Sequence, residues 1–295
     1  MNLPFWIEFF DDLQHVRGRS INTIMAYRRD LELYAKFREK SDRMIEFFDF
    51  MKEENLSTRS QARVISSVRT YLKYAEGKGI KSPELRELRP PKIKVSLPKA
   101  VTTADFEKLF VACEVPKDDA RTIRNRLTLL FLYGLGCRVS ELTGLNLHDF
   151  SATERWVKVL GKGRKERLIP LTEALYVALE LYLKKAHPVL AEKAGAGPSL
   201  FLNDRGHRPS RVDIWRWLAA WSAKAGFDEP IHPHQFRHGC ATALLEGGAD
   251  LRSIQVLLGH ASIQTTQVYT SVTTNTAVKA IEEHHPLSKI KDYGI

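Results

Sequence analysis

The stretch of sequence from residue 232 to residue 238 reads HPHQFRH. Pro233 is a residue favoured in the first turn of a helix. His234 and Arg237 follow at a spacing of three residues, which places both side chains on one helical face. A second face is apolar and is predicted to meet the core through Phe236, Ala241, Leu244 and Leu245. The stretch therefore predicts a helix that carries a histidine and an arginine together at a polar surface.

A metal site is the main alternative for this histidine-rich stretch. Its ligands would come from His232, His234, His238 and His260. No cysteine is suitably spaced, and neither an HExxH pattern nor a carboxylate-rich motif is present. We therefore predict no metal and no other cofactor, and we interpret His238 as structural.

Two further basic residues stand in glycine-bearing contexts. Residues 136–142 read GCRVSEL, so that Arg138 is predicted to project from the start of a helix, where backbone amides also favour an anion. Glu141, three residues later, either orients the Arg138 guanidinium or forms an ordinary surface ion pair with it. Residues 161–163 read GKG and place Lys162 at a hairpin tip, suited to giving a proton to a leaving oxygen or simply to a soluble turn. The nearby basic residues Arg164, Lys165 and Arg167 favour phosphate contact and leave open which of the basic residues is catalytic.

The last informative stretch, residues 257–269, reads LLGHASIQTTQVY. Taken singly, His260 is typical of a helix-capping core histidine and Tyr269 of a core aromatic. Taken together, the cationic and donor side chains suit a phosphodiester, and a tyrosine phenol is able to attack its phosphorus. The six candidate catalytic residues are Arg138, Lys162, His234, Arg237, His260 and Tyr269.

Helical patterns dominate the chain. Residues 1–88 predict four helices, namely Pro4 to His15, Ile21 to Glu39 capped by Ser20, Met44 to Glu53, and one from Ser57 or Thr58 to Gly77. The second and fourth carry basic side chains that either form a solvated face or lie against DNA phosphates, namely Arg28, Arg29, Arg59, Arg63, Arg69 and Lys73.

A basic segment with three prolines, residues 89–100, predicts a linker between two domains. From residue 101 to residue 295 the pattern is again helical. Thr103 is predicted to cap a helix from Ala104 to Cys113, and a strongly apolar helix follows from Ala120 to Gly134. Alternating residues 156–160 and 166–171 predict a β-hairpin with a glycine-bearing tip. Helices are then predicted after Thr172 and from Arg211 to Ala225.

Composition narrows the class of protein. The formal net charge of +10 favours a polyanionic partner such as nucleic acid, because each bound phosphate releases counterions. No stretch is apolar enough for a membrane span, and the first residues lack the basic region of a secretory signal. Three cysteines without metal-like spacing indicate reduced thiols, and we expect a cytoplasmic protein without membrane contact.

These motifs together resemble those of the tyrosine recombinases of the phage integrase family, and the length and layout resemble the Xer recombinases. The family pattern is an arginine, a hairpin lysine, a His-x-x-Arg, a histidine or tryptophan and a tyrosine, which falls on Arg138, Lys162, His234, Arg237, His260 and Tyr269. One departure is Phe236, where the family usually has leucine. The resemblance implies a mainly α, two-domain DNA clamp with a four-helix core-binding domain and a mostly helical catalytic domain that carries a small β-hairpin.

The resemblance also implies a mechanism and partners. Tyr269 would attack phosphorus, Lys162 would protonate the departing 5′ oxygen, and the remaining four residues would stabilise the phosphate. The partners would be double-stranded DNA with paired half-sites and three further subunits in a homo- or hetero-tetramer, with an accessory activator as an option. A C-terminal tail, residues 274–295, would dock on its own domain or on a neighbour.

The resemblance most favours resolution of chromosome dimers, since no additional N-terminal arm-binding domain is seen. The alternatives are a mobile-element integrase, a DNA-binding architectural protein without chemistry, and a type IB-like topoisomerase.

Overall fold

The computed structural model describes residues 3–91, 99–161, 166–195, 197–259 and 281–289. The chain divides into two compact units, Met1–Leu97 and Pro98–Ile295. None of the helices in the described ranges is long and apolar enough to cross a membrane.

The described residues of the first unit, 3–91, form four α-helices, as the sequence predicts. They are α1 (Trp6–Asp11), α2 (Ile21–Arg38), α3 (Ile45–Glu53) and α4 (Thr58–Gly77). A π-helical turn, Asp12–Val16, extends α1. Side chains of Ser20 and Ser57 accept hydrogen bonds from backbone amides three residues on, which fixes the starts of α2 and α4. The core of this unit is rich in aromatic residues, among them Phe9, Phe37, Phe47 and Tyr71.

Part of the basic surface predicted for this unit is used inside it. Arg63 donates to the buried Asp30 carboxylate at 2.5 Å, and Arg69 donates to the carbonyls of Leu85 and Leu88. Arg63 and Arg69 therefore help to hold the unit together, although the Arg63 side chain stays half-exposed. Four other residues of the predicted basic set on α2 and α4 are exposed, namely Arg28, Arg29, Arg59 and Lys73.

The second unit is built around α6 (Asp119–Tyr133), in which most side chains from Thr122 onward are buried. α5 (Thr103–Ala112) precedes it, and the cap of α5 is Thr102 with Asp105 rather than the predicted Thr103. α7 (Val139–Gly144) follows, and beyond its end Leu147 lies in a 3₁₀ turn and is exposed.

The β-sheet has three antiparallel strands, β1 (Phe150–Ser151), β2 (Trp156–Leu160) and β3 (Glu166–Pro170), in that order. β2 and β3 form the predicted hairpin, in register from Trp156 opposite Pro170 to Leu160 opposite Glu166. β1 was not predicted, since two residues are too short to show an alternating pattern.

Further α-helices in the described part of the second unit are α8 (Glu173–Leu181), α9 (His187–Ala191), α10 (Arg211–Lys224), α11 (Pro233–Glu246) and α12 (Leu251–Leu258). Thr172 caps α8 as predicted. α11 buries Phe236 and Leu244, whereas Leu245, predicted to face the core, is exposed. The three cysteines are buried and free.

The chain that enters the second unit lies directly on α11. The Val101 amide donates to the Gln235 carbonyl at 3.2 Å, and the Gln235 side chain donates to the Lys99 carbonyl at 3.1 Å. A Cβ atom at Gly239 would stand 2.3 Å from the Val101 carbonyl oxygen, so that only glycine permits this approach.

A short C-terminal segment, residues 281–289, also packs on this unit. Ile281 and Leu287 belong to its core, and His284 donates through Nδ1 to the Gly247 carbonyl at 2.7 Å. His285 is fully buried with its ring 5.2 Å from that of Tyr133, and burial lowers the pKa of His285 to about 4. Of the two predicted docking modes for the tail, this described part adopts packing on its own unit; residues 274–280 and 290–295 lie outside the described residues.

Candidate active site

Arg138 stands immediately before α7 and is held by Glu141. The Arg138 backbone amide donates to Glu141 Oε2 at 2.8 Å, and its Nη1 donates to Oε1 at 2.7 Å. Glu141 is 2% exposed, whereas the Arg138 side chain is 34% exposed. Of the two predicted roles for Glu141, orientation of the guanidinium is therefore the one that the geometry supports.

Arg237 lies one turn after His234 on α11 and points into the unit. Its Nη1 donates to the Gly136 carbonyl at 2.8 Å and its Nη2 donates to the Leu258 carbonyl. Burial, followed by the charges of Arg138 and Arg167, lowers the pKa of Arg237 to about 10. The guanidinium is thus still charged at neutral pH, but burial and the two neighbouring arginines destabilise its charged form.

Arg167 on β3 is the third guanidinium of the cluster, and it is turned into the protein. It is 4% exposed, and its Nη1 and Nη2 donate to Glu141 Oε1 and Oε2 at 2.7 and 2.9 Å. Its Nε donates to the Leu257 carbonyl at 3.1 Å. Burial alone would raise the pKa of Glu141, but the hydrogen bonds and charge of Arg167, together with the bonds from Arg138, hold that pKa below its ordinary value.

The carboxyl end of α12 is the point where the three arginines meet. Arg167, Arg237 and Arg138 donate, in that order, to the successive carbonyls of residues 257, 258 and 259. These carbonyls lack helical partners and carry the negative end of the helix dipole, so they attract cations. Gly259 ends the helix in the left-handed conformation, with φ of 66°.

The cluster has a surplus of positive charge. Three guanidinium groups lie near one carboxylate, and two of them, Arg138 and Arg167, bond to it, which leaves a formal excess of two charges (3 − 1 = 2). The carboxylate already accepts four hydrogen bonds, which is about its full capacity. Among the described residues, Arg138 uses two of its five N–H donors, so this half-exposed guanidinium has donors left for an anion.

The structure brings together two of the six candidate catalytic residues, Arg138 and Arg237. His234 is exposed at the start of α11, on the same helix as Arg237. Lys162, His260 and Tyr269 lie outside the described residues; in the chain, Lys162 belongs to the connection between β2 and β3, and His260 follows Gly259. His238, interpreted from the sequence as structural, is exposed.

Arg167 and the carbonyls at the end of α12 are the parts of the site whose roles were not predicted. The signal for the helix end was present in the sequence, because a glycine after Leu257 and Leu258 is typical of a left-handed helix terminus. In the described ranges, no group of three or more His, Cys, Asp or Glu side chains is arranged to hold a metal ion.

Comparison with known proteins agrees with this architecture. Residues 99–276 match the Phage integrase family, and residues 7–79 match the family described as Phage integrase, N-terminal SAM-like domain. Tyrosine recombinase XerD of Listeria innocua is 36% identical over 95% of this chain and 99% of its own length. Tyrosine recombinase XerC of Thermodesulfovibrio yellowstonii is 38% identical over 98% of each chain.

Solved structures show the same fold. XerH site-specific recombinase bound to a palindromic difH substrate aligns with a TM-score of 0.65 and 21% identity, covering 90% of this chain and 81% of that one. Lambda integrase residues 75–356 bound to DNA aligns with a TM-score of 0.65 and 18% identity, covering 92% and 95%. The chain therefore belongs to the phage integrase family, and it is an enzyme of the tyrosine recombinase type.

Proposed function

We propose that this enzyme recombines double-stranded DNA at a specific site, with Tyr269 as the nucleophile. The observation that carries the proposal is the arginine cluster at the end of α12, whose surplus charge is suited to a phosphodiester. An anion bound there would relieve the repulsion that lowers the pKa of Arg237.

The chemistry follows from the residue types. The Tyr269 oxygen attacks phosphorus, the bond to the 5′ oxygen breaks, and Lys162 gives that oxygen its proton. Arg138, Arg237, His234 and His260 stabilise the charge that builds on the non-bridging oxygens. A 3′-phosphotyrosyl bond and a free 5′-hydroxyl result, and attack by a 5′-hydroxyl from a partner strand reverses the step. The bond energy is conserved in the intermediate, so no nucleotide cofactor is consumed.

For the organisation of the chain, we propose that residues 1–88 form a core-binding domain, 89–100 a linker and 101–295 the catalytic domain. The exposed basic residues of α2 and α4 would lie against DNA phosphates, and paired half-sites would assemble a tetramer, either of this chain alone or with a second recombinase. Identity of 36–38% to proteins named XerD and XerC supports resolution of chromosome dimers, a reaction of the cytoplasm, as the cellular role. A mobile-element integrase is the second candidate, supported by the shared fold of lambda integrase.

The test begins with selection of the preferred duplex from a random library, followed by a nicked suicide version of that duplex. The wild-type chain should form a covalent adduct that survives denaturing electrophoresis. Tyr269→Phe should bind the same duplex with nearly unchanged affinity and form no adduct, because only the nucleophilic oxygen is removed.

An adduct at wild-type yield with Tyr269→Phe would overturn the assignment of the nucleophile. Binding of the duplex without any adduct in the wild type would favour an architectural protein. Relaxation of supercoiled DNA that lacks the selected site would favour a topoisomerase.

A further inference from the structure

Arg167 has the contacts of a residue that sets the position of others. It is buried on β3 and makes two parallel hydrogen bonds to the Glu141 carboxylate. Its third described bond leaves in another direction, from Nε to the Leu257 carbonyl. A planar guanidinium can serve these acceptors at once, whereas a lysine ammonium on a flexible stem cannot reproduce that fork.

On one side, Arg167 acts on Arg138 through a shared carboxylate. Glu141 Oε1 accepts from Nη1 of both arginines at 2.7 Å, and Oε2 accepts from the Arg138 amide and from Arg167 Nη2. Arg167 therefore fixes the rotation of the carboxylate plane, and that plane in turn fixes the Arg138 guanidinium.

On the other side, Arg167 packs against the residue that ends α12. A Cβ atom at Gly259 would lie 3.2 Å from both Cδ and Nη1 of Arg167. Gly259 has φ of 66°, and its carbonyl oxygen accepts a hydrogen bond from Arg138 Nη2 at 3.2 Å. The next residue in the chain is His260. The Arg167 side chain thus packs directly against the C-terminal end of α12.

We propose that Arg167 is a positioning residue of the active site, which couples the orientation of Arg138 to the place where the chain leaves α12 toward His260. This inference rests on the proposed function, because it assigns Arg138 and His260 to phosphate stabilisation. Arg167 itself does not touch the substrate. Its role is to hold the Arg138 guanidinium and the end of α12 at a fixed separation, and a displacement of about 1 Å in catalytic groups can lower a rate by about 10²-fold.

The test compares Arg167→Lys with Arg124→Lys. Arg124 is a matched control, since it is 2% exposed, belongs to the same unit and is paired with Asp204 at 2.6 Å away from the cluster. On the suicide duplex under single-turnover conditions, Arg167→Lys should cleave about 10²-fold more slowly. Its affinity for the duplex should stay close to that of the wild type. Arg124→Lys should lower the melting temperature and leave the cleavage rate nearly unchanged.

A double-mutant cycle with Arg138→Ala tests the coupling. If Arg167 acts partly through Arg138, adding Arg167→Lys to Arg138→Ala should slow cleavage by much less than it slows the wild type. A methylphosphonate at the scissile position should also shrink the defect of Arg167→Lys, because less charge then needs stabilising. A purely structural effect of the substitution would be additive in the cycle and insensitive to the methylphosphonate.

A fold-rescue variant covers the case in which Arg167→Lys does not fold. The pair Glu141→Gln with Arg167→Met removes one buried charge of each sign. Because it also takes from Arg138 the carboxylate that orients it, the pair is compared with Glu141→Gln alone. The pair should fold and cleave more slowly than Glu141→Gln. Cleavage at the wild-type rate by any folded Arg167 variant, or full additivity with Arg138→Ala, would overturn the inference. Absence of an adduct in the wild type would instead overturn the proposed function.

Discussion

Two clusters of charged side chains in the second unit differ in their balance of charge, and each contains a buried arginine. Around α6, Arg121 and Arg124 are paired with Asp118 and Asp204, so that two cations meet two carboxylates. The Arg124 guanidinium also lies 4.0 Å from the centre of the Trp217 ring. At the end of α12, three guanidinium groups meet one carboxylate.

The difference in charge balance distinguishes a cluster that stabilises the fold from a cluster that can bind an anionic ligand. In the balanced cluster the two cations and two carboxylates cancel formally, and the buried Arg124 anchors α6 to Asp204. An unbalanced one is tolerated only because helix-end carbonyls supply partial negative charge, and it keeps a field that an anion can neutralise. A surplus of cations, rather than the presence of buried arginine, therefore marks the candidate active site.

The largest expected effect is on the cleavage rate, when one arginine of the unbalanced cluster is removed and the balanced cluster around α6 is left intact. Arg138→Ala and Arg237→Ala should each lower the single-turnover cleavage rate by about 10²–10³-fold, the usual effect of removing one donor to a developing negative charge. Arg124→Ala should lower the melting temperature while cleavage stays close to wild type. Equal cleavage rates in all three variants would show that the unbalanced cluster has no special part in catalysis.

His285 is a buried base for which the described residues supply no carboxylate partner, and it tests how burial alone disfavours a positive charge. His285 is fully buried and burial lowers its pKa to about 4 from the ordinary 6.5, so the folded chain disfavours the proton that the unfolded chain accepts. Stability should be constant above about pH 6.5, fall as the pH drops toward 4, and lose up to about 3 kcal/mol from this residue. Denaturant titrations at several pH values measure it. His285→Phe should lose that part of the pH dependence; an unchanged profile would assign acid sensitivity to other groups.

The smallest expected effect concerns the glycine that ends α12. Gly259→Ala should destabilise the fold by about 1–2 kcal/mol, since a left-handed backbone disfavours a side chain, and it should also slow cleavage because the new methyl group crowds Arg167. Gly226→Ala is the control, with φ of 79° and nothing within 4 Å of its Cβ position. Both variants should melt at lower temperatures, and only Gly259→Ala should cleave more slowly. Equal cleavage by the two would dissociate the helix end from the catalytic geometry.

The sequence predicted the mainly helical fold, the hairpin and several caps because these depend on local patterns. Ser20, Ser57 and Thr172 are recognisable as caps from their neighbours alone. It also indicated the pairing of Arg138 with Glu141, which lie three residues apart.

The role of Arg167 could not be predicted in the same way. Its partners are 26 residues before it, at Glu141, and 90 residues after it, at Leu257. A lysine- and arginine-rich hairpin tip gives no local sign of which basic residue turns inward. Burial decides the matter, and burial of a single charged side chain depends on the carboxylate that tertiary folding brings to it.

The attachment of residues 99–101 to α11 has a mechanical consequence. Gln235, through its backbone and side chain, is bonded to both Val101 and Lys99, and it lies two residues before Arg237. A pulling force that reaches Lys99 along the chain would therefore act on α11 before it acts on any other described helix of the second unit. The close contact at Gly239 makes that junction stiff, because there is no side chain to yield between the two backbones. The first described residues of the second unit are thus anchored on the helix that carries His234 and Arg237.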